Sequence, residues 1–236
     1  MSVGAGLDVR AAGLAELMDD PACDPVRLRR TLRRFRLLNP LVSGWGGVYR
    51  TRVRPALAAG EGAARILDVG CGGGDVLRRV VAAARRDGFA VEGLGIDPDP
   101  RSIAVAEDAA DVDGVAYRCV DSAALVREGD RFDVVLSNHV LHHLTAAGLP
   151  VFLRECAALT SRLGVHSDIR RSRAAYAAYA AGITPLAPGS FLRTDGLRSI
   201  RRSYTPAELT AVVPDGWVVE SASPFRLLAV HRGDAA

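Results

Sequence analysis

The stretch that most constrains this chain is RILDVGCGGGDV, residues 65 to 76, where an apolar run breaks into glycine at alternate positions. A short apolar run of this kind reads as a buried strand, and DVLRRVVAAARRDG after it reads as a helix ended by Gly88. Gly70, Gly72 and Gly74 therefore sit on the turn between strand and helix. A missing Cβ there permits positive φ and lets the backbone approach a ligand closely. The rhythm then repeats. AVEGLGID, VAYRCV, FDVVLSN and LGVHSDI read as further strands, with DPRSIAVAEDAADV and LPVFLRECAALTS as helices among them. Strands alternating with helices mean an α/β fold, a mostly parallel sheet covered on both faces. GWVVESAS and FRLLAVHR, joined by Ser223-Pro224, are too close for a crossover helix and read as a C-terminal antiparallel hairpin.

Helices flank this core. Asp24 can cap a helix that Pro25 opens and Asn39-Pro40 stops near Leu38. Its arginines, Arg27, Arg29, Arg30, Arg33, Arg34 and Arg36, form either a solvated face or a surface for acidic partners or membranes. A second helix is expected from about Val48 to Ala58. Further on, SRAAYAAYAAG reads as a helix, PLAPGSFLRTDG as a loop and TPAELTAVV as a short helix. The division expected is a helical N-terminal lid over residues 1–59 and an α/β domain over 60–236, with a lid insertion at about 171–204.

Composition removes several chemistries. All 30 basic residues are arginine, so no lysine amine exists for a Schiff base or for a P-loop. Four cysteines without CxxC spacing indicate neither a zinc knuckle nor a disulfide framework. A net charge of +3 is too small to argue for nucleic acid. No apolar stretch approaches the ~20 residues of a membrane span, and MSVGAGLDVRAAG lacks the pattern of a signal peptide. The expectation is a cytoplasmic chain with no nucleic-acid partner and no stable membrane insertion.

Two ligand classes use such a glycine turn, dinucleotides and S-adenosylmethionine. The dinucleotide fingerprint is GxGxxG with a pyrophosphate on the helix N-terminus. Here Asp75 stands at the third glycine's position, and Asp68 adds a second carboxylate just before the turn. Two negative charges suit a ligand bearing sulfonium and ammonium groups better than one bearing phosphates. Asp97 closes the second strand where an acidic residue takes ribose hydroxyls, a feature both classes share. In VDSA, Asp121 can accept from an adenine amino group and Ser122 can meet the ring nitrogens; a turn aspartate or helix cap is the alternative for Asp121.

Taken together, ILDVGCGGG, GIDPDP, VDSA and FDVVLSNHVLHHL resemble the class I S-adenosylmethionine-dependent methyltransferases over about residues 64 to 170. The resemblance implies a Rossmann-like sheet of seven strands ending in an antiparallel hairpin. It also implies that Asp68 and the Gly70, Gly72 and Gly74 backbone hold the methionine part and Asp97 the ribose. Asp121 and Ser122 would hold the adenine, and Asn138 and His139 would pass the sulfonium. LHHL resembles the glutamate–histidine pair of quinone-type O-methyltransferases, with His142 in the glutamate's place, and no metal is assigned on that basis.

Methyl transfer is an in-line displacement, helped by a base when the acceptor is a hydroxyl. The candidate bases are His143, then His166, then His142, with Asp168 orienting an imidazole; all follow the fourth or fifth strand. No proline-bearing segment of the kind found in methyltransferases of exocyclic base amines follows strand four. The acceptor expected is a small apolar phenol, quinol or polyketide-like molecule, with Trp45, Tyr176, Tyr179 and Phe191 as candidate pocket residues. The alternatives are an NAD-dependent oxidoreductase and a non-catalytic S-adenosylmethionine-binding protein.

Overall fold

The computed structural model describes residues 6–109, 112–222 and 225–233, with the side chains of residues 36–42 left undescribed. Seven strands form one sheet: β1 (Ala64–Val69), β2 (Val91–Ile96), β3 (Val115–Arg118), β4 (Phe132–Asn138), β5 (Thr160–Ile169), β6 (Trp217–Ala222) and β7 (Arg226–Arg232). Their order is β3-β2-β1-β4-β5-β7-β6, parallel except where β7 pairs antiparallel with β5 and β6. Ser223-Pro224, read as the hairpin joint, lies outside the described residues.

Alternation along the strands sorts the core into two layers. Ile66, Val134, Leu136 and Val165 pack on one face, against Val76, Leu77, Val80 and Val81 of α4 (Asp75–Arg86). Leu67 and Val135 point the other way, against Leu149, Leu153 and Cys156 of α7 (Gly148–Leu159). Between strands lie α5 (Pro100–Glu107) and α6 (Ser122–Glu128).

The N-terminal region departs from the division expected at residue 59. Helix α1 (Pro25–Val42) runs on through Asn39-Pro40, because a proline in the last turn forfeits only one ladder bond. After it, α2 (Trp45–Val48), a π-helical turn (Tyr49–Val53) and α3 (Arg54–Ala58) bury Trp45, Val48, Tyr49, Val53 and Leu57 in the first core layer. Residues 45–58 are therefore part of the α/β core. The roof is residues 6–35 together with α8 (Arg173–Ile183) and α9 (Leu192–Arg202). Helix α9 begins inside the segment read as a loop, and α10 (Pro206–Thr210) follows it behind a capping box at Thr205 and Glu208.

Three of the α1 arginines are anchored to main-chain carbonyls, while Arg29 lies exposed and Arg33 pairs with Asp108 at the surface. Arg27 donates to the Ser190 carbonyl, Arg30 to Gly189, and Arg34 to Leu186 and Pro188, at 2.8 to 3.2 Å. Helix α1 thus grips the loop between α8 and α9. Among the described residues, no helix is long and apolar enough to cross a membrane.

Candidate active site

At the carboxyl ends of β1, β2 and β4 lies a cavity of about 450 Å³, where open parallel sheets bind their ligands. Its floor is the glycine turn. The Gly70 and Cys71 amides both donate to the Ile96 carbonyl, tying the turn to β2 at 2.8 and 3.0 Å. All three glycines have positive φ, of 70°, 53° and 70°. Their reasons differ. A Cβ on Gly70 would collide with Val140, and one on Gly74 with the Tyr117 hydroxyl, whereas one on Gly72 would meet only Leu32, 3.9 Å away. Gly72 is the one of the three whose missing side chain leaves open space.

Three side chains aim polar atoms into this floor. Asp68 is 1% exposed, and neither carboxylate oxygen has a hydrogen-bond partner among the described residues. Burial, then the charges of Asp75 and Asp97, push its carboxyl well above the usual carboxylate range. Asp97 is also raised by burial, although it accepts from the Gly72 amide at 3.0 Å and the Asp99 amide at 2.9 Å. The buried Asn138 Oδ1 is likewise unpartnered. A floor where Asp68 is buried without a hydrogen-bond partner among the described residues, beside a half-buried Asp97, fits a ligand that brings its own positive charge. S-adenosylmethionine, with an ammonium and a sulfonium, meets that requirement, and a pyrophosphate does not.

The residues expected around the adenine are placed otherwise. Asp121 Oδ1 caps α6 by accepting from the Ala124 amide at 2.9 Å, and the buried Ser122 hydroxyl donates to Glu155 at 2.6 Å. Neither lines the cavity. His139 does line it, in the left-handed region at φ 64°, with its Nε2 accepting from Arg226 at 2.6 Å. Burial and then the Arg226 charge hold its imidazole well below the usual histidine value, so it is neutral.

The far wall carries the histidine group, and the structure divides its members. His166 is fully buried, with its Nδ1 2.7 Å from the Ser137 hydroxyl and its ring against Phe152 and Trp217. It does not reach the cavity, and burial, then the His231 charge, lower it to about 3. That removes it from the candidate bases. His142 and His143 do line the cavity. The His142 Nδ1 lies 2.7 Å from Asp168 Oδ1, and its backbone amide donates to Asp168 Oδ2 at 2.8 Å. Asp168 therefore fixes both the ring and the turn that carries it. Burial alone would lower His142, but Asp168 and Glu16 outweigh it and raise the imidazole to about 9. His143 is 30% exposed, with its Nδ1 3.1 Å from Asp19 Oδ2.

Glu16 and Asp19 had no role in the sequence reading. They come from the N-terminal segment, which α9 holds in place. The Leu17 and Met18 amides donate to the Asp195 carboxylate at 2.9 and 3.0 Å, and Arg198 donates to the Ala15 carbonyl at 2.7 Å. Ser199 donates to Glu16 Oε1 at 2.9 Å, and Arg202 lies 3.2 Å from Asp19. Burial would raise both carboxyls, but the histidines, and for Asp19 also Arg202, bring them below the usual range. No local pattern announces these contacts, because their partners lie more than 120 residues away in sequence. The apolar lining includes Met18, Leu28, Leu32, Phe35, Val140 and Leu144; Trp45, Tyr176, Tyr179 and Phe191 are not in it. A larger groove of about 850 Å³ lies at the other end of the sheet beside Arg131, Arg162 and Arg232. It lacks the unpartnered Asp68 and the histidine pair, so the chemistry belongs to the smaller cavity.

Known proteins point the same way. Residues 66–164 match the family described as "Methyltransferase domain". The ubiquinone biosynthesis O-methyltransferase of Azorhizobium caulinodans is 40% identical over 103 residues, 43% of this chain and 38% of that protein. The protein of the same name from Methylobacterium nodulans is 35% identical over 152 residues, 63% of this chain and 57% of that one. The match thus spans about two fifths to three fifths of these relatives' length. Among solved structures, human N-acetylserotonin methyltransferase with SAM superposes with a TM-score of 0.61 at 9% identity, over 89% of this chain and 56% of that one. The plantazolicin methyltransferase with SAH and a desmethyl analogue gives 0.57 at 13% identity, over 89% and 97%. At such identities the structural likeness speaks for the fold.

Proposed function

We propose that this chain is a class I S-adenosylmethionine-dependent methyltransferase, like the relatives it matches in part, and that it methylates the oxygen of a small, largely apolar acceptor such as a phenol, a quinol or a polyketide-like aromatic. S-adenosylmethionine supplies an electrophilic methyl group on a sulfonium. The observation that carries the reading is the arrangement of the cavity, with the unpartnered Asp68 beside Asp97 at one end and the His142–His143 wall at the other. Asp68 sits where a buried carboxylate can take an ammonium, and Asp97 where it can take ribose hydroxyls. Asp121 spends Oδ1 on its helix cap, and its Oδ2 is proposed to meet the adenine amino group. Asn138 and His139 line the passage between the two ends.

Oxygen is favoured by the chemistry of the far wall. As the O–C bond forms and the S–C bond breaks, a hydroxyl acceptor must lose its proton, and an imidazole wall promotes that loss. Met18, Leu28, Phe35 and Leu144 give the acceptor a dry, apolar seat, with its hydroxyl turned to His143. The test is mass spectrometry of a panel of phenols and quinols incubated with protein and S-adenosylmethionine. A gain of one CH₂, lost in the methyl ether of the same compound, is expected. Turnover of amines but of no hydroxyl compound would overturn the reading.

A further inference from the structure

We infer that Glu16, His142 and His143 form a binding site for one divalent first-row metal cation, of the zinc, manganese or iron kind, at the acceptor end of the cavity. Both imidazoles are set up as ligands by what holds their other nitrogen. Asp168 meets the Nδ1 of His142 at 2.7 Å, and Asp19 meets the Nδ1 of His143 at 3.1 Å. A carboxylate only accepts, so each Nδ1 carries a hydrogen, and each Nε2 is the nitrogen that binds once a cation displaces any proton it holds. Carboxylates behind metal-binding histidines work in this way, fixing the ring and raising its basicity.

The two Nε2 atoms converge on one oxygen. Glu16 Oε1 lies 3.3 Å from that of His142 and 3.8 Å from that of His143, and the three ligand atoms lie within 4.8 Å of one another. A tetrahedral ion with bonds of about 2.1 Å holds its ligand atoms about 3.4 Å apart. The two distances to Glu16 are close to that edge, and a small turn of the partly exposed His143 ring closes the third. The buried His142 Nε2 has no hydrogen-bond partner among the described residues, although the Glu16 oxygen is close to it. Ser199 orients that same oxygen at 2.9 Å, while the Arg202 guanidinium stands 3.6 Å away and competes for it. Two imidazoles and one carboxylate suit these metals and leave coordination positions open towards the cavity. The imidazoles then act on the acceptor as metal ligands, and the roof completes the site by bringing Glu16.

Protein stripped with chelator is titrated with Zn²⁺, Mn²⁺ and Co²⁺, and bound metal is counted by elemental analysis. One equivalent is expected, with Co²⁺ giving the visible absorption of a low-coordinate site and Zn²⁺ raising the melting temperature. Glu16→Gln and His143→Ala should each weaken binding at least ~100-fold, and Asp19→Asn by about 10- to 100-fold, the effect of losing a group behind a ligand. Both ligand variants are checked for native circular dichroism; the fully buried His142 is left intact, since its loss could unfold the turn. Absence of stoichiometric binding, or binding unchanged in folded Glu16→Gln or folded His143→Ala, overturns the inference. No acceptor or cofactor is present in these measurements, so failure of the cation site and failure of O-methylation are separate results.

Discussion

The two ends of the cavity handle charge in opposite ways. At the floor, the buried Asp68 and the half-buried Asp97 have no cation among their hydrogen-bond partners, and their carboxyls are raised. At the far wall, Glu16, Asp19 and Asp168 are each matched by an imidazole, and their carboxyls are lowered. The floor stores unfavourable charge until a ligand arrives; the wall is already balanced. Binding energy is therefore concentrated at the floor, and precision of placement at the wall.

The sharpest way to break this contrast is to fill the floor. Gly72→Val puts a branched side chain into the open space at a φ of 53°. Affinity for S-adenosylmethionine by calorimetry should drop by more than ~100-fold, as backbone access and an allowed φ are lost together. Asp68→Asn separates function from stability. It should weaken cofactor binding by about 2–3 kcal/mol through loss of a charge-assisted contact, yet raise the melting temperature of the ligand-free protein. The sign follows from linkage: a carboxyl raised by burial costs stability wherever it must ionise, and asparagine never ionises. A fall in both quantities would end the view of the floor as stored charge.

The wall answers to pH in two directions. His142 is raised to about 9, so its contribution is complete below the unfolded value near 6.5 and fades as pH rises through 9. In metal-free protein that limb is worth up to about 3 kcal/mol, read from denaturant midpoints between pH 6 and pH 10. Glu16, Asp19 and Asp168 are lowered, so their contributions hold above their unfolded values near 4 and are lost on acidification. A cation bound at the histidine pair displaces the proton and should flatten the alkaline limb. The smallest expected effect is at Asp121→Ala. Losing the α6 cap should cost about 1 kcal/mol of stability, and cofactor affinity should fall less than it does at Asp97→Ala. Equal losses of affinity at the two positions would show that Asp121 carries the adenine in full.

The same contrast explains what could be read from sequence. The floor is local: strand, glycine turn and the acidic residue closing the next strand are short patterns, so Asp68, Gly72 and Asp97 were all legible and line one cavity. Even there, a pattern could not tell that Gly70 and Gly74 are emptied for Val140 and Tyr117. The wall is assembled from three distant segments. His142, His143 and Asp168 were visible as titratable groups following strands, but His166 looked equivalent to them, although it lies within β5 against Trp217. Glu16 and Asp19 show no such pattern, because α9, which holds their segment, starts inside PLAPGSFLRTDG, a stretch that reads as a loop. Its first turn, LRTD, lies beside Gly189 and Ser190, and those turn residues masked the helix start.

The arginines of the roof carry one more consequence. Arg27, Arg30 and Arg34 grip carbonyls of residues 186–190, Arg10 and Arg198 grip carbonyls of other connecting segments, and Arg101 reaches up from α5 to the Asp20 carbonyl. Each bond joins a permanent charge to a main-chain oxygen, which every amino acid supplies. The anchorage therefore reads mainly the path of the loop, with two exceptions: Gly189, where a Cβ would collide with Arg30, and Ser190, whose hydroxyl also accepts from Arg34. Substitutions at Leu186, Ala187 and Pro188 can accumulate without loosening the attachment, provided the backbone keeps its course. Such a cover is free to vary in evolution, so descendants of this chain could change what they admit to the cavity while the machinery beneath stays as it is.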